Sequence, residues 1–255
     1  MEVRITSKRF FYTFPSDHRI GSTNRLRKHS CKTSLWMNDA KKTEGIRKIL
    51  AEFDTEHPNE YKRNQKGIDY ISYLEMFEEK YGQFGKDVDA VHLNDIPTQD
   101  LVYLAQNDLK SFPNLIQEFD VPEIVKNDCY KVGKGTLYNM MLWFGPRGCQ
   151  SPLHYDPLDN LLIQFVGRKN VYLLPNSTDQ EGGVHWHYCG YEGQQYNTSP
   201  VDAIHPDLEK YPLFKDAPTI FVAELYEGDI LYIPSKWWHQ VISIDRSISI
   251  NAWWR

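Results

Sequence analysis

The chain has 255 residues and a formal net charge of −5, and 41% of its residues are hydrophobic and 25% charged. These values are ordinary for a globular protein and favour a single large domain. The four cysteines form no C-x-x-C pair, which argues against a disulfide framework or a structural zinc module. With no run of 18 apolar residues and no signal-peptide core, we expect an intracellular protein, nuclear or cytoplasmic, without a membrane partner.

The N-terminal part differs in charge from the rest. Residues 1–50 carry 12 Lys and Arg against 4 Asp and Glu, whereas the remainder has 17 basic and 30 acidic residues. We expect residues 1–42 to form a basic leader that is either disordered or divergent in sequence. Apart from contacts that this leader could make, no nucleic-acid partner is expected.

Two helices are predicted next, over residues 43–53 and 70–81, where apolar side chains recur at helical spacing. The polar stretch 54–67 between them is typical of a loop. These elements belong to a helical lead-in that covers residues 43–120.

From residue 138 onward the chain consists of short runs rich in β-branched and aromatic residues, separated by turn residues such as those at 167–168 and 227–229. This pattern predicts a mainly β fold, a barrel or sandwich, with its core at 138–255 in a domain spanning 43–255. Residues 176–218 are too irregular for a sheet and are expected to pass over the barrel mouth. The predicted strands are 138–144, 161–166, 169–174, 220–225, 230–233, 238–242 and 247–253.

A candidate metal site begins with the H-x-D pair of His154 and Asp156. Strand periodicity places both side chains on one face of an extended segment, and His239 on a later strand adds a second imidazole. Two histidines and one carboxylate occupy one face of an octahedral iron and leave three positions open. The pair alone is weak evidence, because 9 His and 19 Asp in this chain give roughly 0.7 such pairs by chance.

Two other clusters have metal-like spacing. His205-Pro206-Asp207 lies in the irregular insert, where the proline favours a helix start over a ligand pair. His185 and Cys189, with the histidine between them at 187, are expected to be surface or lid residues.

The position of Lys169 strengthens the interpretation of the H-x-D pair as a metal site. It begins the strand that returns after the Gly167 turn, 13 residues beyond Asp156. A lysine there could point into the barrel and hold the distal carboxylate of a keto acid through a charge-assisted hydrogen bond. The alternative is an exposed hairpin lysine, but the later strand with His239 favours the functional interpretation.

Several ordered blocks resemble a known family. The stretch W-F-G-P-R-G-C-Q-S-P-L-H-Y-D at 143–156, followed by Asn160 and V-G-R-K at 166–169, resembles the core of the jumonji-C oxygenases. The blocks Y-L-A-Q at 103–106, H-P-D-L-E-K-Y-P at 205–212 and D-I-L-Y-I-P-S-K-W-W-H at 229–239, with the tryptophans at 253–254, are similar to the lysine-specific demethylase 8 class, whose members act as arginyl hydroxylases. The likeness covers about residues 100–255.

The resemblance implies a double-stranded β-helix, a cupin-like jelly-roll barrel with N-terminal helices. It implies a dioxygenase that uses Fe(II), 2-oxoglutarate and O₂, with His154, Asp156 and His239 as catalytic metal ligands. The residues implied to bind 2-oxoglutarate are Tyr103, Gln106, Ser151, Asn160, Lys169 and Trp253, and the walls of the substrate pocket are Trp143 and Trp253.

The expected partner is a protein or peptide substrate whose arginine side chain is hydroxylated, with release of succinate and CO₂. A guanidinium pairs best with a carboxylate, and Glu52 and Glu56 are candidates for that acid. Two alternatives stay open: a histone methyl-lysine demethylase of the jumonji-C type, and a cupin-like metal-binding module without turnover. The sequence does not define the oligomeric state.

Overall fold

The computed structural model describes residues 5–7, 70–82, 92–112, 116, 131–175, 197–217 and 220–255. These ranges contain one α-helix of three turns and ten β-strands. The helix is α1 (Tyr70–Tyr81), and the strands are β1 (Ile5–Ser7), β2 (Leu104–Asp108), β3 (Leu137–Gly145), β4 (Gln150–Tyr155), β5 (Asp159–Val166), β6 (Lys169–Leu174), β7 (Ile220–Leu225), β8 (Ile230–Ile233), β9 (Trp238–Ser243) and β10 (Ser247–Trp254).

The strands form two five-stranded sheets. The first has the order β1-β7-β6-β9-β4, and the second has the order β2-β3-β10-β5-β8. All pairs are antiparallel except β1 with β7, which is parallel. Because consecutive strands alternate between the two sheets along much of the chain, the architecture is a jelly roll. The predicted mainly β, cupin-like fold is confirmed.

The predicted helix at 70–81 and all seven predicted strands are present, with bounds that differ by at most two residues. Strands β1, β2 and β4 were not predicted as strands. The β2 sequence Leu-Ala-Gln-Asn-Asp has no β-branched residue, so its conformation depends on pairing with β3. The helix expected at 43–53 and the loop expected at 54–67 lie outside the described residues.

Helix α1 covers the outer face of the second sheet. The Tyr70 hydroxyl lies 2.6 Å from the carbonyl oxygen of Phe144 and 3.0 Å from that of Val102, and it can donate to one of them at a time. The Tyr73 hydroxyl accepts from the Val102 amide at 2.8 Å and donates to the Asp100 carbonyl at 2.9 Å. These tyrosines fix the helix to the chain that leads into β2.

Strand β10 separates two interiors. Ile248, Ile250, Ala252 and Trp254 pack in the core beneath α1. The alternate residues face the space between the sheets, where the neighbouring core consists of apolar residues of β5 to β8. Since both faces of β10 are buried, its polar positions, Ser247, Ser249 and Asn251, lie inside the molecule.

The described part of the insert, residues 197–217, packs against β4 and β9. Val201, Ala203 and Phe214 form a buried cluster with Leu153 and Trp238. The amide of residue 199 donates to the carbonyl of residue 153, and the amide of residue 155 donates to the carbonyl of residue 197. This segment therefore extends the edge of the first sheet beside β4; residues 176–196, including the cluster at 185–189, lie outside the described residues.

The helix start expected at Pro206 is wrong. Asp207 is followed by a single hydrogen-bonded turn, in which its Oδ1 accepts from the amides of Glu209 and Lys210 at 3.1 and 3.0 Å. A 3₁₀ helix begins only at Pro212. A proline at that position lacks the amide needed to continue the preceding turn. His205 and Asp207 are both exposed.

Candidate active site

The structure brings His154, Asp156 and His239 together. One nitrogen or oxygen donor atom from each side chain lies within 4.8 Å of the other two. Within the described part of the chain this is the one such cluster of three metal-ligating side chains. His154 lies opposite His239 in the β4–β9 pair, with ring centroids 4.2 Å apart. Asp156 follows directly after the end of β4.

Hydrogen bonds to the backbone define which imidazole nitrogen can bind a metal. His154 Nδ1 lies 2.7 Å from the Pro152 carbonyl, and His239 Nδ1 lies 3.0 Å from the Trp237 carbonyl. A carbonyl oxygen only accepts, so in the neutral form of each ring Nδ1 carries the proton and Nε2 offers the lone pair to a metal. The pKa of His239 is lowered to about 4, mainly by burial and secondly by the nearby His154 ring. His239 is therefore neutral at pH 7, as a metal ligand must be.

The carboxylate of Asp156 is oriented by its neighbours. Trp253 Nε1 donates to Asp156 Oδ2 at 3.0 Å, and His239 Nε2 lies 3.8 Å from the same oxygen. Such hydrogen bonds to the ligands of a metal orient them and raise their affinity. The sequence predicted Trp253 in the 2-oxoglutarate site and the substrate pocket. In the structure its indole N–H also donates to a candidate metal ligand.

Lys169 is the second charged element of the site. Its side chain is 1% exposed, and its Nζ donates to the hydroxyls of Tyr103 at 3.0 Å and Ser249 at 2.7 Å. In the described ranges no carboxylate forms an ion pair with it. Burial lowers the pKa of this lysine from 10.5 to about 7, and burial raises the pKa of the Tyr103 hydroxyl, which stays neutral. A buried ammonium without an anion fits the binding of an anionic ligand.

A pocket of about 390 Å³, part of it open to solvent, joins these groups. Nine of the ten site residues predicted from sequence line it: Tyr103, Gln106, Trp143, Ser151, His154, Asp156, Lys169, His239 and Trp253.

Asn160 is the tenth predicted residue and lies next to the pocket. It is fully buried on β5, opposite Trp253 of β10. Its Oδ1 accepts from Asn251 Nδ2 at 2.9 Å. Its own Nδ2 has no partner among the described residues, and neither has the buried Nε1 of Trp143. Both donors are therefore available to a ligand at this place, although buried unsatisfied atoms also occur away from the pocket in the described residues, for example Trp254 Nε1.

Sequence reasoning missed two polar groups of this site, Ser249 and Asn251. Ser249 holds Lys169, and Asn251 lines the pocket beside Asn160. The signal that could have found them is strand periodicity, since both share a face of β10 with Trp253. The apolar lining residues Leu162, Ile233 and Val241 were also missed.

Backbone strain coincides with the pocket. The described non-glycine residues with positive φ are Gln106, at +54°, and Lys236, at +66°. Gln106 lines the pocket at an irregularity of the β2–β3 pair, and the amide of Lys236 donates to the carbonyl of Asp156 at 2.7 Å. Left-handed backbone at residues with a side chain clusters at functional sites.

Within the described residues no helix is long and apolar enough to span a bilayer.

A family model described as a cupin-like domain matches residues 23–255, and the chain belongs to this family. The resemblance to jumonji-C proteins is confirmed by curated relatives. JmjC domain-containing protein D of Dictyostelium discoideum is 36% identical over 193 residues, covering 70% of this chain and 41% of that protein. Lysine-specific demethylase 8 of Xenopus tropicalis is 35% identical over 153 residues, covering 60% and 32%.

A further relative carries a different kind of name. The tRNA wybutosine-synthesizing protein 5 of Homo sapiens is 31% identical over 182 residues, covering 70% of this chain and 51% of that protein. The chain spans between about a third and a half of the length of these three relatives.

Proposed function

We propose that the chain is an Fe(II)- and 2-oxoglutarate-dependent dioxygenase that hydroxylates an arginine side chain of a protein substrate. The observation that carries the proposal is the arrangement of one pocket, in which His154, Asp156 and His239 converge and a buried Lys169 lacks an anion among the described residues. Two imidazoles and one carboxylate are the donor set of a non-haem Fe(II) centre with open positions.

The metal would be held by His154 Nε2, His239 Nε2 and a carboxylate oxygen of Asp156. When bound, Fe(II) and 2-oxoglutarate supply the oxidative chemistry that consumes O₂, yields succinate and CO₂, and adds one oxygen to the substrate. The protein supplies orientation and shields the reaction from water.

Lys169 would hold the distal carboxylate of 2-oxoglutarate, because a charge-assisted bond inside the barrel is strong and directional. Tyr103 and Ser249 already fix the position of its Nζ. Ser151 and Gln106 line the same pocket, and the unpartnered amide nitrogen of Asn160 lies beside it. We assign these residues to co-substrate binding.

Trp143 and Trp253 would form the walls for the substrate side chain. Both line the pocket, and their flat faces suit the planar guanidinium of arginine. The relatives named as lysine-specific demethylase 8 belong to the class that the sequence resembles. The acid expected to pair with the guanidinium, Glu52 or Glu56, lies outside the described residues.

The first experiment measures succinate formation with Fe(II) and 2-oxoglutarate for three proteins. The wild type should turn over, and His154→Ala should lose activity because it removes a metal donor. His205→Ala is the matched control, since His205 belongs to the exposed second H-x-D pair and its loss should leave the rate unchanged. Fe(II) binding without any succinate would favour the cupin-like module without turnover.

The second experiment identifies the substrate by mass spectrometry of peptides that contain arginine or methyl-lysine. A gain of about 16 Da on arginine supports hydroxylation. A loss of about 14 Da from methyl-lysine would show that the reaction is demethylation and not arginine hydroxylation. Since one relative is named as a tRNA-modifying protein, transfer RNA is included, and oxidation of tRNA alone would contradict a protein substrate.

A further inference from the structure

The turn between β8 and β9 is tied to the chain that follows β4. We call residues 234–237 the ligand turn and residues 156–159 the acidic segment. The Lys236 amide donates to the Asp156 carbonyl at 2.7 Å. The Ser235 hydroxyl donates to the Pro157 carbonyl at 2.9 Å, and the Ser235 amide donates to Asp159 Oδ1 at 3.2 Å. Three hydrogen bonds thus join segments that are almost 80 residues apart in sequence.

Each of these segments controls one candidate metal ligand. The acidic segment begins with Asp156 itself. The ligand turn is closed by a bond from the Trp237 amide to the Pro234 carbonyl at 3.1 Å, and the Trp237 carbonyl accepts from His239 Nδ1 at 3.0 Å. The spacing of Asp156 and His239 therefore depends on how the ligand turn is held against the acidic segment.

The carboxylate of Asp159 is the side chain that connects the two. Its Oδ1 accepts from the Ser235 amide and, at 2.6 Å, from the Tyr232 hydroxyl on β8. Its Oδ2 faces Gly133, where a Cβ atom would lie 2.8 Å from that oxygen. The glycine at 133 leaves the space that the carboxylate occupies, so Asp159 is confined from both sides.

The ligand turn needs such support because its backbone is strained. Lys236 has a φ of +66°, and a residue with a Cβ atom in the left-handed region costs about 1 kcal/mol or more. Strained conformations persist only when the surrounding contacts hold them. Without the bond from Asp159 to the neighbouring Ser235 amide, the turn can relax and move both the Asp156 carbonyl and the Trp237 carbonyl.

We propose that Asp159 is a positioning residue for the metal site: it holds the ligand turn against the acidic segment and so sets the separation of Asp156 and His239. It does not line the pocket and acts through these two ligands. The inference rests on the metal site of the proposed function, but it concerns metal affinity and does not depend on which substrate is oxidised.

The test is an anaerobic titration with Fe(II) in the presence of 2-oxoglutarate, following the visible charge-transfer absorption of the ternary complex and, separately, heat release with Mn(II). Asp159→Ala should weaken binding about tenfold or more, as loss of a residue that supports metal ligands commonly does. Asp159→Asn keeps an acceptor oxygen at Oδ1 and should stay within about threefold of wild type. Thermal unfolding of each variant is recorded in parallel.

Asp229→Ala is the matched control. Asp229 also uses its carboxylate to cap a turn, because its Oδ2 accepts from the Tyr226 amide at 2.8 Å. That turn lies at the other end of β8, so its loss should lower stability without changing Fe(II) affinity. An Asp159→Ala protein that binds Fe(II) as tightly as wild type would overturn the proposal, and so would equal losses in Asp159→Ala and Asp159→Asn.

If Asp159→Ala does not fold, Tyr232→Phe takes its place. This variant keeps the ring and removes one of the two donors that hold Asp159 Oδ1 in place for the Ser235 amide. Fe(II) binding should therefore weaken, and an unchanged affinity would refute the positioning role. The two proposals fail separately. A wild type that binds Fe(II) but forms no succinate would refute the dioxygenase activity, whereas the affinities of the Asp159 variants would still decide their own question.

Discussion

Replacing Lys169 by methionine should stabilise the ligand-free protein while abolishing binding of 2-oxoglutarate. The lysine is buried, and burial lowers its pKa from 10.5 to about 7. Each pKa unit corresponds to about 1.36 kcal/mol, so keeping the ammonium inside costs roughly 5 kcal/mol of folding stability below pH 7. Methionine has similar length, no charge and a flexible side chain that fills such a space.

The gain is smaller than the full electrostatic cost. Lys169 donates two hydrogen bonds, to Tyr103 and Ser249, and their loss costs about 1 kcal/mol each. The net stabilisation is then roughly 3 kcal/mol, which in a chain of this size raises Tm by roughly 6 to 12 °C.

The gain should also depend on pH in a defined direction. Between pH 7 and 10.5 the folded wild type has a neutral Lys169 while the unfolded chain keeps its lysine protonated. The unfolded state then binds more protons, so wild-type stability rises with pH in this window. The advantage of Lys169→Met is therefore greatest at pH 7 and below, and it shrinks toward pH 10.5.

Thermal unfolding followed by circular dichroism from pH 6 to 10, with and without 2-oxoglutarate, measures both effects. The co-substrate should raise the Tm of the wild type by mass action and leave Lys169→Met unchanged. Lys215→Met is the control, because Lys215 is exposed and its replacement should move Tm little. A Lys169→Met protein with a lower Tm than wild type at pH 7, or with a gain that does not vary with pH, would refute the reasoning.

Three further substitutions test the site and its frame. Trp253→Phe removes the donor to Asp156 Oδ2; we expect an about tenfold weaker Fe(II) affinity in calorimetry with little change in Tm, and an unchanged affinity would contradict this role. Gly167→Ala should lower stability by more than about 3 kcal/mol in urea titrations, since its Cβ would clash with the Arg246 carbonyl oxygen and φ is +69°. Lys236→Gly should relieve left-handed strain and raise stability by about 1 kcal/mol in the same titration, and a loss would show that the lysine side chain is needed.

The fold could be predicted where a strand has a run of apolar and β-branched residues in its own sequence. Strands β5 to β10 are rich in apolar and β-branched residues with clear turns between them, and each was found within two residues of its bounds. Strands β2 and β4 could not be found in this way. Gln150–Tyr155 contains Pro152 and has no β-branched residue, and its extended conformation comes from pairing with β9 and with residues 197–199.

The candidate site could be predicted where its residues belong to short sequence motifs. Spacing and resemblance pointed to residues that the structure gathers in one pocket. The partners Ser249 and Asn251 were missed because a polar face of a strand is normally solvated, whereas the second sheet buries β10 on both sides. The hydrogen bonds between the ligand turn and the acidic segment could not be predicted from the sequence, because they depend on the register of strands far apart in sequence.

Several unfavourable local features lie at or beside the pocket, and they support the site independently of any relative. Lys169 is a buried charge without an anion among the described residues, and Asn160 and Trp143 each leave a buried donor unsatisfied. Gln106, which lines the pocket, and Lys236, whose amide donates to the Asp156 carbonyl, hold left-handed backbone. Each feature costs stability, and proteins retain such costs where function requires them. A ligand with carboxylates would offset the cost at Lys169, whereas a purely structural barrel would have no reason to place a lysine there.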